Sequence, residues 1–334
     1  MSSDRGGGRP RVAVVIVSYN TCALTLRAVG SALSCEDVEV DVVLVDNAST
    51  DGSVDSVREQ FPEVTVLALK ENVGFGRANN VAFGRSSAPH VLLLNSDAYF
   101  ADGHGLRRLV DLIESDRAIG VVGARLESPG GVLEFSARAF PGIVSDIVRP
   151  LGLHRFLTRA ARARRLGTEF FDHDRMDDMD WLTGACLLIR RAVLEEVGGF
   201  DPEIFLYGEE LEWCWRVGER RWRRVFEPGV TVVHERGASG AGPSAWKERL
   251  TMAGDAYTVR KHRGGLYFAA FFLARCVGLA AEACIQGSLG ILMGSGLRRA
   301  RARHAARGLR AWVLAVLAGG SSHPARLASR GGRP

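Results

Sequence analysis

Three stretches of this chain carry residue types that could do chemistry. The first is Asn95-Ser96-Asp97, which follows directly on the apolar run Val91–Leu94. Residues two apart on an extended backbone project to the same side, so Asn95 and Asp97 can present their oxygens together. Such oxygens suit a hard cation and the phosphates it carries. Taken alone, the triplet is equally a strand end turning into a helix cap. The second is Glu209-Glu210, two acids at the mouth of a segment that reads as a helix over 208–219. A helix N-terminus favours ionised carboxylates, which makes acids there ordinary. Yet Trp213, Cys214 and Trp215 are a poor solvent-facing continuation, and a carboxylate at the mouth of a packed helix is well placed as a general base for a hydroxyl. The third is His234, closing the apolar run Val230–Val233. A lone His there is usually structural, and it gains a role only if it reaches Asp97, where imidazole and carboxylate together suit Mn2+ or Mg2+.

The elements that must position these residues follow from the hydrophobic pattern. Val12–Val17, Val40–Val45, Val64–Leu69, His90–Leu94 and Gly120–Ala124 are short apolar or β-branched runs, and each reads as a strand. Helical stretches separate them, one from about Asn20 to Ser34, one capped by Thr50 or Asp51 and reaching Gln60, one after Gly76 and one after Asp102. Strands alternating with helices of this length imply βαβ units and a parallel sheet. Four polar clusters then stand just past strand ends: Ser18–Asn20, Asp46–Ser53, Asn72–Gly76 and Asn95–Asp97. Ligands of open α/β sheets sit beyond the carboxyl ends of the strands, and there Asp46 can accept from a nucleobase N–H or a ribose hydroxyl. The first turn lacks G-x-G-x-x-G, which disfavours NAD.

Past Ala124 the alternation stops. Ser128-Pro129-Gly130-Gly131 reads as a hairpin turn, and 141–178 as a long, partly mobile loop. Trp181–Ile189 is expected as one strand, Trp222–Phe226 and Val230–His234 as two, and Trp246–His262 as a helix. Residues 266–296 are nearly all apolar or small, interrupted by Arg275, Glu282 and Gln286. Charges at mid-bilayer cost at least about 2.5 kcal/mol each, so helices packed on the domain or lying in the membrane interface are expected rather than a span. Residues 1–10 and 319–334 are expected to be disordered.

The chain of 334 residues is 46% hydrophobic with a net charge of +5, as for a globular protein. Six Arg and no acid fall in 149–165, and again in 297–310. Such clusters favour anionic surfaces such as phospholipid or a diphosphate, and no nucleic-acid recognition motif accompanies them. The six Cys show no metal or disulfide spacing, which points to reduced thiols. Val12–Val17 is too short for a signal h-region, so export is not expected. Nothing in the sequence specifies an oligomeric state.

Together these motifs resemble the family 2 inverting glycosyltransferases. The residues that carry the resemblance are Val14–Asn20, Val45–Ser53, Asn72–Gly76, Leu94–Ala98, Leu182–Cys186, Gly208–Glu210 and His234, in family order. The pattern is most similar to the rhamnosyltransferase-type branch that builds bacterial cell-surface polysaccharide. The resemblance spans about 11–262 and implies a GT-A-type α/β fold, Rossmann-like and mostly parallel. It divides into a nucleotide-binding half (11–124) and an acceptor half (125–262), followed by an apolar and basic helical extension (263–318) that associates with membrane. It implies that Ser18, Tyr19, Asn20 and Asp46 line the nucleoside pocket, with Asn72, Gly74, Arg77, Asn95 and Ser96 completing the donor side. Thr183, Gly184 and Ala185 match the acceptor-side loop, and Asp97 with His234 the metal site for Mg2+ or Mn2+. Glu210 falls where the family has its catalytic Asp, with Glu209 beside it. Two departures stand out. Asn95 replaces the first Asp of the metal motif, and Glu210 is one methylene longer than the usual base. The implied partners are a nucleotide-diphosphate sugar, with dTDP-rhamnose as first donor, a lipid-linked glycan acceptor and an anionic membrane surface. The implied location is peripheral, at the cytoplasmic face of the plasma membrane. A sugar nucleotidyltransferase would share the sheet and cation but should carry a Gly-rich loop where Ser18-Tyr19-Asn20 stands. A vestigial binding protein would not need the acids and His234 all kept.

Overall fold

Strand β1 (Arg11–Ser18) is buried at every position after Arg11, as its unbroken apolar run requires of a strand covered on both faces. The computed structural model that contains it describes residues 9–158, 162, 166, 170–235 and 244–317. By its internal contacts the chain divides into two units. The first comprises 1–136, 173–200 and 216–240, and the second 137–172, 201–215 and 241–334.

The first unit is built on a ten-stranded mixed sheet. After β1 come β2 (Glu39–Asp46), β3 (Thr65–Ala68), β4 (His90–Asn95), β5 (Ala98–Phe100), β6 (Ile119–Glu127) and β7 (Leu133–Glu134). The short β8 (Ala137–Arg138) lies outside this sheet, and β9 (Asp177–Asp178), β10 (Trp181–Leu182), β11 (Cys186–Arg190) and β12 (Arg223–His234) follow. The order is β3-β2-β1-β4-β11-β6-β12-β5, with β7 on β6 and β9 on β12. Neighbours from β3 to β4 are parallel, as is β6 with β12, while β11 runs antiparallel to both its neighbours. Helices α1 (Cys22–Leu33), α2 (Ser53–Gln60), α3 (Phe75–Ala82) and α4 (Gly105–Ser115) make the crossovers. The core joins Val14, Ile16, Leu44 and Leu92 of the sheet to Val29, Leu106 and Leu109 of the helices.

The structure corrects two strand assignments. Trp181–Ile189 is interrupted at Thr183–Ala185, so that Trp181–Leu182 and Cys186–Arg190 are separate strands, and Thr183 N–H donates to Ser136 O while Asn95 N–H donates to Ala185 O. Conversely, Arg223–His234 is one strand. Glu227-Pro228-Gly229 forms an irregularity inside it, where the pairing with β6 jumps from Glu227↔Ala124 to Thr231↔Arg125.

The second unit is helical. Between 141 and 158, expected as loop, lie α5 (Ile143–Val148) and a 3-10 turn at Leu153–Phe156. Within α5, Asp146 pairs at 2.8 Å with the buried Arg275. Helix α6 (Arg191–Val197) belongs to the first unit, and α7 (Glu209–Glu219) begins in the second. Helix α8 (Ser244–Leu292) is broken at Gly264, whose φ of +78° only glycine adopts without strain. By length and composition its span Trp246–Leu292 is apolar enough to cross a membrane. Helix α9 (Gly296–Leu317) packs back on it around Phe271 and Trp312.

Candidate active site

The register of the parallel strands decides which polar residues meet. Ser18 pairs with Asp46, and Val17 with Asn95, so the carboxyl ends of β1, β2 and β4 lie level. Asp46 is buried, and its Oδ2 accepts the Ser49 N–H at 2.9 Å, closing the turn after β2. Its Oδ1 has no hydrogen-bond partner. A buried carboxylate oxygen left without a donor is costly, so this is where a ligand N–H or hydroxyl fits. Tyr19 follows Ser18, the residue paired with Asp46, and is exposed.

Other expected donor-side residues hold the loops. The Ser18 hydroxyl is fully buried on Thr25 at 2.9 Å, and Thr21 donates to Ser96 at 3.0 Å. Both hydroxyls are thus turned inward, Ser18 tied to α1 and Ser96 to the residue that precedes it. Asn20 sits at φ +53° and accepts the Thr50 N–H at 2.8 Å, while Asp51 accepts the Cys22 N–H at 2.8 Å, so the β1 and β2 loops are clipped together. The Asn72 carboxamide accepts from the Asn47 side chain at 2.9 Å and from Gly74 N–H at 3.0 Å, and Asn47 in turn accepts from Val73 N–H. Gly74, at φ +89°, turns the chain into α3, where half-buried Arg77 stands in the first turn.

At the end of β4 the structure brings Asp97 and His234 together. Pairing of His234 with Ala98 places the ring one residue from Asp97, and His234 Nε2 lies 3.2 Å from Asp97 Oδ1 and 3.5 Å from Asn95 Nδ2. On the other edge of the ring, Nδ1 lies 2.9 Å from Glu134 Oε2. Burial works against a charged imidazole here, but hydrogen bonds and charge from Asp97 and Glu134 outweigh it and raise the His234 pKa. Among the described residues no group of three His, Cys, Asp or Glu could hold an ion. An imidazole and a carboxylate 3.2 Å apart still suit a divalent cation as two ligands, with Asn95 Oδ1 buried and unpartnered nearby. A cation held there would supply positive charge at the strand ends. Thr183 Oγ1 is likewise buried without a partner, and Gly184 and Ala185 follow it, Ala185 bonded to Asn95.

The acids of α7 differ in environment. Glu209 is 2% exposed and its Oε2 has no partner. Burial, then the adjacent Glu210, push its pKa well above the usual carboxylate range. Glu210 is half-buried. Both are fixed by a tight turn, Tyr207 at φ +65° and Gly208 at φ +113°. Helix α8 meets this turn backbone to backbone, since a Cβ on Gly254 would come 2.3 Å from Tyr207 O. One turn on, the buried Glu212 is held by Lys261 at 2.7 Å, and Lys261 also holds Asp201 at 2.6 Å.

Sequence reasoning missed Glu134 as a neighbour of His234, and Asn47 as the hub of the second loop. Glu134 lies 100 residues away along the chain. Its one local signal is an acid between Leu133 and Phe135 just after a hairpin turn.

The model of Glycosyl transferase family 2 matches residues 13–198. The N-acetylglucosaminyl-diphospho-decaprenol L-rhamnosyltransferase of Mycobacterium tuberculosis is 29% identical over 248 residues, covering 70% of this chain and 78% of the relative. Rhamnosyltransferase WbbL of Escherichia coli is 25% identical over 171 residues, covering 48% and 60%. A solved mannosyltransferase of Pyrobaculum calidifontis, in complex with GDP-Man and Mn2+, is 19% identical and superposes with a TM-score of 0.62 over 93% of this chain and 88% of that one. The fold is therefore GT-A-like, and the chain belongs to glycosyl transferase family 2.

Proposed function

We propose that the protein is a metal-dependent, inverting glycosyltransferase that moves a sugar from a nucleoside-diphosphate donor to a hydroxyl of a lipid-linked glycan, with dTDP-rhamnose as first donor. The observation that carries this is the Asp97–His234 pair at the strand ends that also hold the unpartnered Asp46 oxygen. Asp46 accepts a hydrogen bond from the donor's nucleoside, and Tyr19 packs beside it. Asp97 and His234 would hold Mg2+ or Mn2+, which when bound would offset the negative charge on the departing diphosphate. Glu210 takes the acceptor hydroxyl proton while that oxygen bonds to the anomeric carbon. The bond from that carbon to the diphosphate breaks, the nucleoside diphosphate leaves and the configuration inverts. Burial raises the pKa of Glu209, which favours the more open Glu210 as the base.

The mycobacterial relative's name supports a lipid-linked acceptor. So does α8, whose outward face presents Leu266, Ala269, Ala270, Leu273, Val277 and Ile291. Arg275 points the other way, onto Asp146 and Asp255, so that face carries no charge and suits the bilayer interface at the cytoplasmic side. The Arg residues of α9 suit anionic headgroups.

The test is nucleotide release from a panel of donor sugars with a polyprenyl-diphosphate-linked sugar as acceptor, beside calorimetry on Asp97→Ala. Release should occur with one donor, and the variant should lose metal-dependent donor binding. Absence of release with every donor overturns the activity, and unchanged affinity in the presence of Mn2+ overturns the metal assignment.

A further inference from the structure

We propose that Glu134 is the positioning residue of the cation site, fixing His234 so that Nε2 is the nitrogen offered to the ion. This rests on Asp97 and His234 being the cation's protein ligands, and it adds a residue that no motif supplies. An imidazole can ligate only through a nitrogen that has given up its proton. Which nitrogen that is depends on what the other one is bonded to. Here Nδ1 lies 2.9 Å from Glu134 Oε2, and Nε2 lies 3.2 Å from Asp97 Oδ1. The two carboxylates stand on opposite edges of the ring, so Glu134 does not share the ion with Asp97. It accepts the Nδ1–H, keeps the proton on that side, stops the ring from rotating and makes Nε2 the stronger ligand.

The surroundings suit that task. The side chains of Asp97, His234 and Glu134 are each 10% exposed or less, so water competes little for these bonds. Glu134 reaches the ring because β7 pairs with β6 at Leu126↔Glu134 and β6 pairs with β12 at Val232↔Leu126. That register is set by the Ser128–Gly131 turn, where Ser128 N–H donates to Val132 O and Gly131 sits at φ +73°. The hairpin is thereby a working part of the metal site: a slip of one residue would carry Glu134 to the opposite face of the sheet.

The test is calorimetric titration of Mn2+ into the full-length protein, with and without dTDP, for wild type, Glu134→Ala, Glu134→Gln, His234→Ala and the Glu134→Ala/His234→Ala double variant. Loss of such an outer partner weakens metal binding by about 10- to 100-fold, and that is the loss expected for Glu134→Ala. Glu134→Gln, whose carbonyl still accepts from Nδ1–H, should fall between it and wild type. The double variant should bind as His234→Ala does. In the Co2+ protein, Glu134→Ala should also alter the d–d absorption that reports nitrogen ligation. Should Glu134→Ala not fold, Glu134→Asp, one methylene too short to reach Nδ1, replaces it with the same expectation. Mn2+ affinity within twofold of wild type in the folded variant, while His234→Ala binds weakly, refutes the inference alone. An additional loss in the double variant refutes it too, since Glu134 would then act independently of His234. Unchanged affinity in His234→Ala removes the ligand assignment on which the inference stands.

Discussion

Replacing Glu210 by Gln, beside the same change at Glu209, separates the roles of two adjacent acids. The substitution keeps volume and hydrogen-bonding reach but removes the proton acceptor. General-base assistance contributes about 10²- to 10⁴-fold, so Glu210→Gln should lower kcat by that factor, about 3–5 kcal/mol of barrier. Donor affinity should stay within about threefold, because the acid acts on the acceptor hydroxyl. Glu209 behaves differently because burial, then the adjacent Glu210, raise its pKa. Its pKa lies above that of the unfolded chain, about 4.3 for Glu, so the native state holds a proton that the unfolded state has lost. Stability therefore falls as pH rises through the window between the unfolded and folded values, and the penalty is complete above it. Glutamine carries no such penalty. Glu209→Gln should melt higher than wild type at pH 8, with the difference closing as pH falls toward 4. Its kcat should remain within about tenfold of wild type, below the usual contribution of a base. Initial rates of nucleotide release, with a thermal melt series over pH 4–8, measure all of this. A near-normal kcat in Glu210→Gln, or an equal loss in Glu209→Gln, would refute the division of roles.

Arg275→Met should lower the melting temperature, because it strands Asp146 and Asp255, which pair with Arg275 at 2.8 and 2.7 Å. Breaking a buried ion cluster from one side costs about 3–5 kcal/mol, and calorimetry on the variant and on a triple variant with both acids neutralised should show loss and recovery. Flotation with anionic liposomes should carry the wild type upward at low salt, and Leu273→Glu with Val277→Glu should reduce it. A wild type that stays below at every salt concentration would count against the bilayer face. Gly254→Val should cost stability and kcat together, since its Cβ would stand 2.3 Å from Tyr207 O in the turn that leads into Glu209.

Much of this protein was legible in the chain. Apolar runs of strand length, alternating with helical stretches, were enough for β1 to β4, because hydrophobic periodicity is local and each run closes on a polar cluster. Asp46, Asn95 and Asp97 could be assigned to one sheet edge by the same logic, since parallel strands end together. Sequence alone did not show that the Ser18 and Ser96 hydroxyls turn inward. That depends on Thr21, which precedes α1, and on Thr25 in its first turn. Nor could it show that Glu227–Gly229 interrupts a single strand instead of ending one, because the same three residues serve either outcome. The difference between Glu209 and Glu210 was hidden as well: both are acids in one helical turn, and only packing buries one and leaves the other partly open. Glu134 is the clearest case. Its partner lies 100 residues further along the chain, and the hydrogen bond exists only because β7, β6 and β12 pair in one register. Residue type and local spacing determined the fold class, the family and the polar clusters at the strand ends, whereas burial and strand register, which are non-local, decided which polar groups are left unpartnered and which hold the loops together.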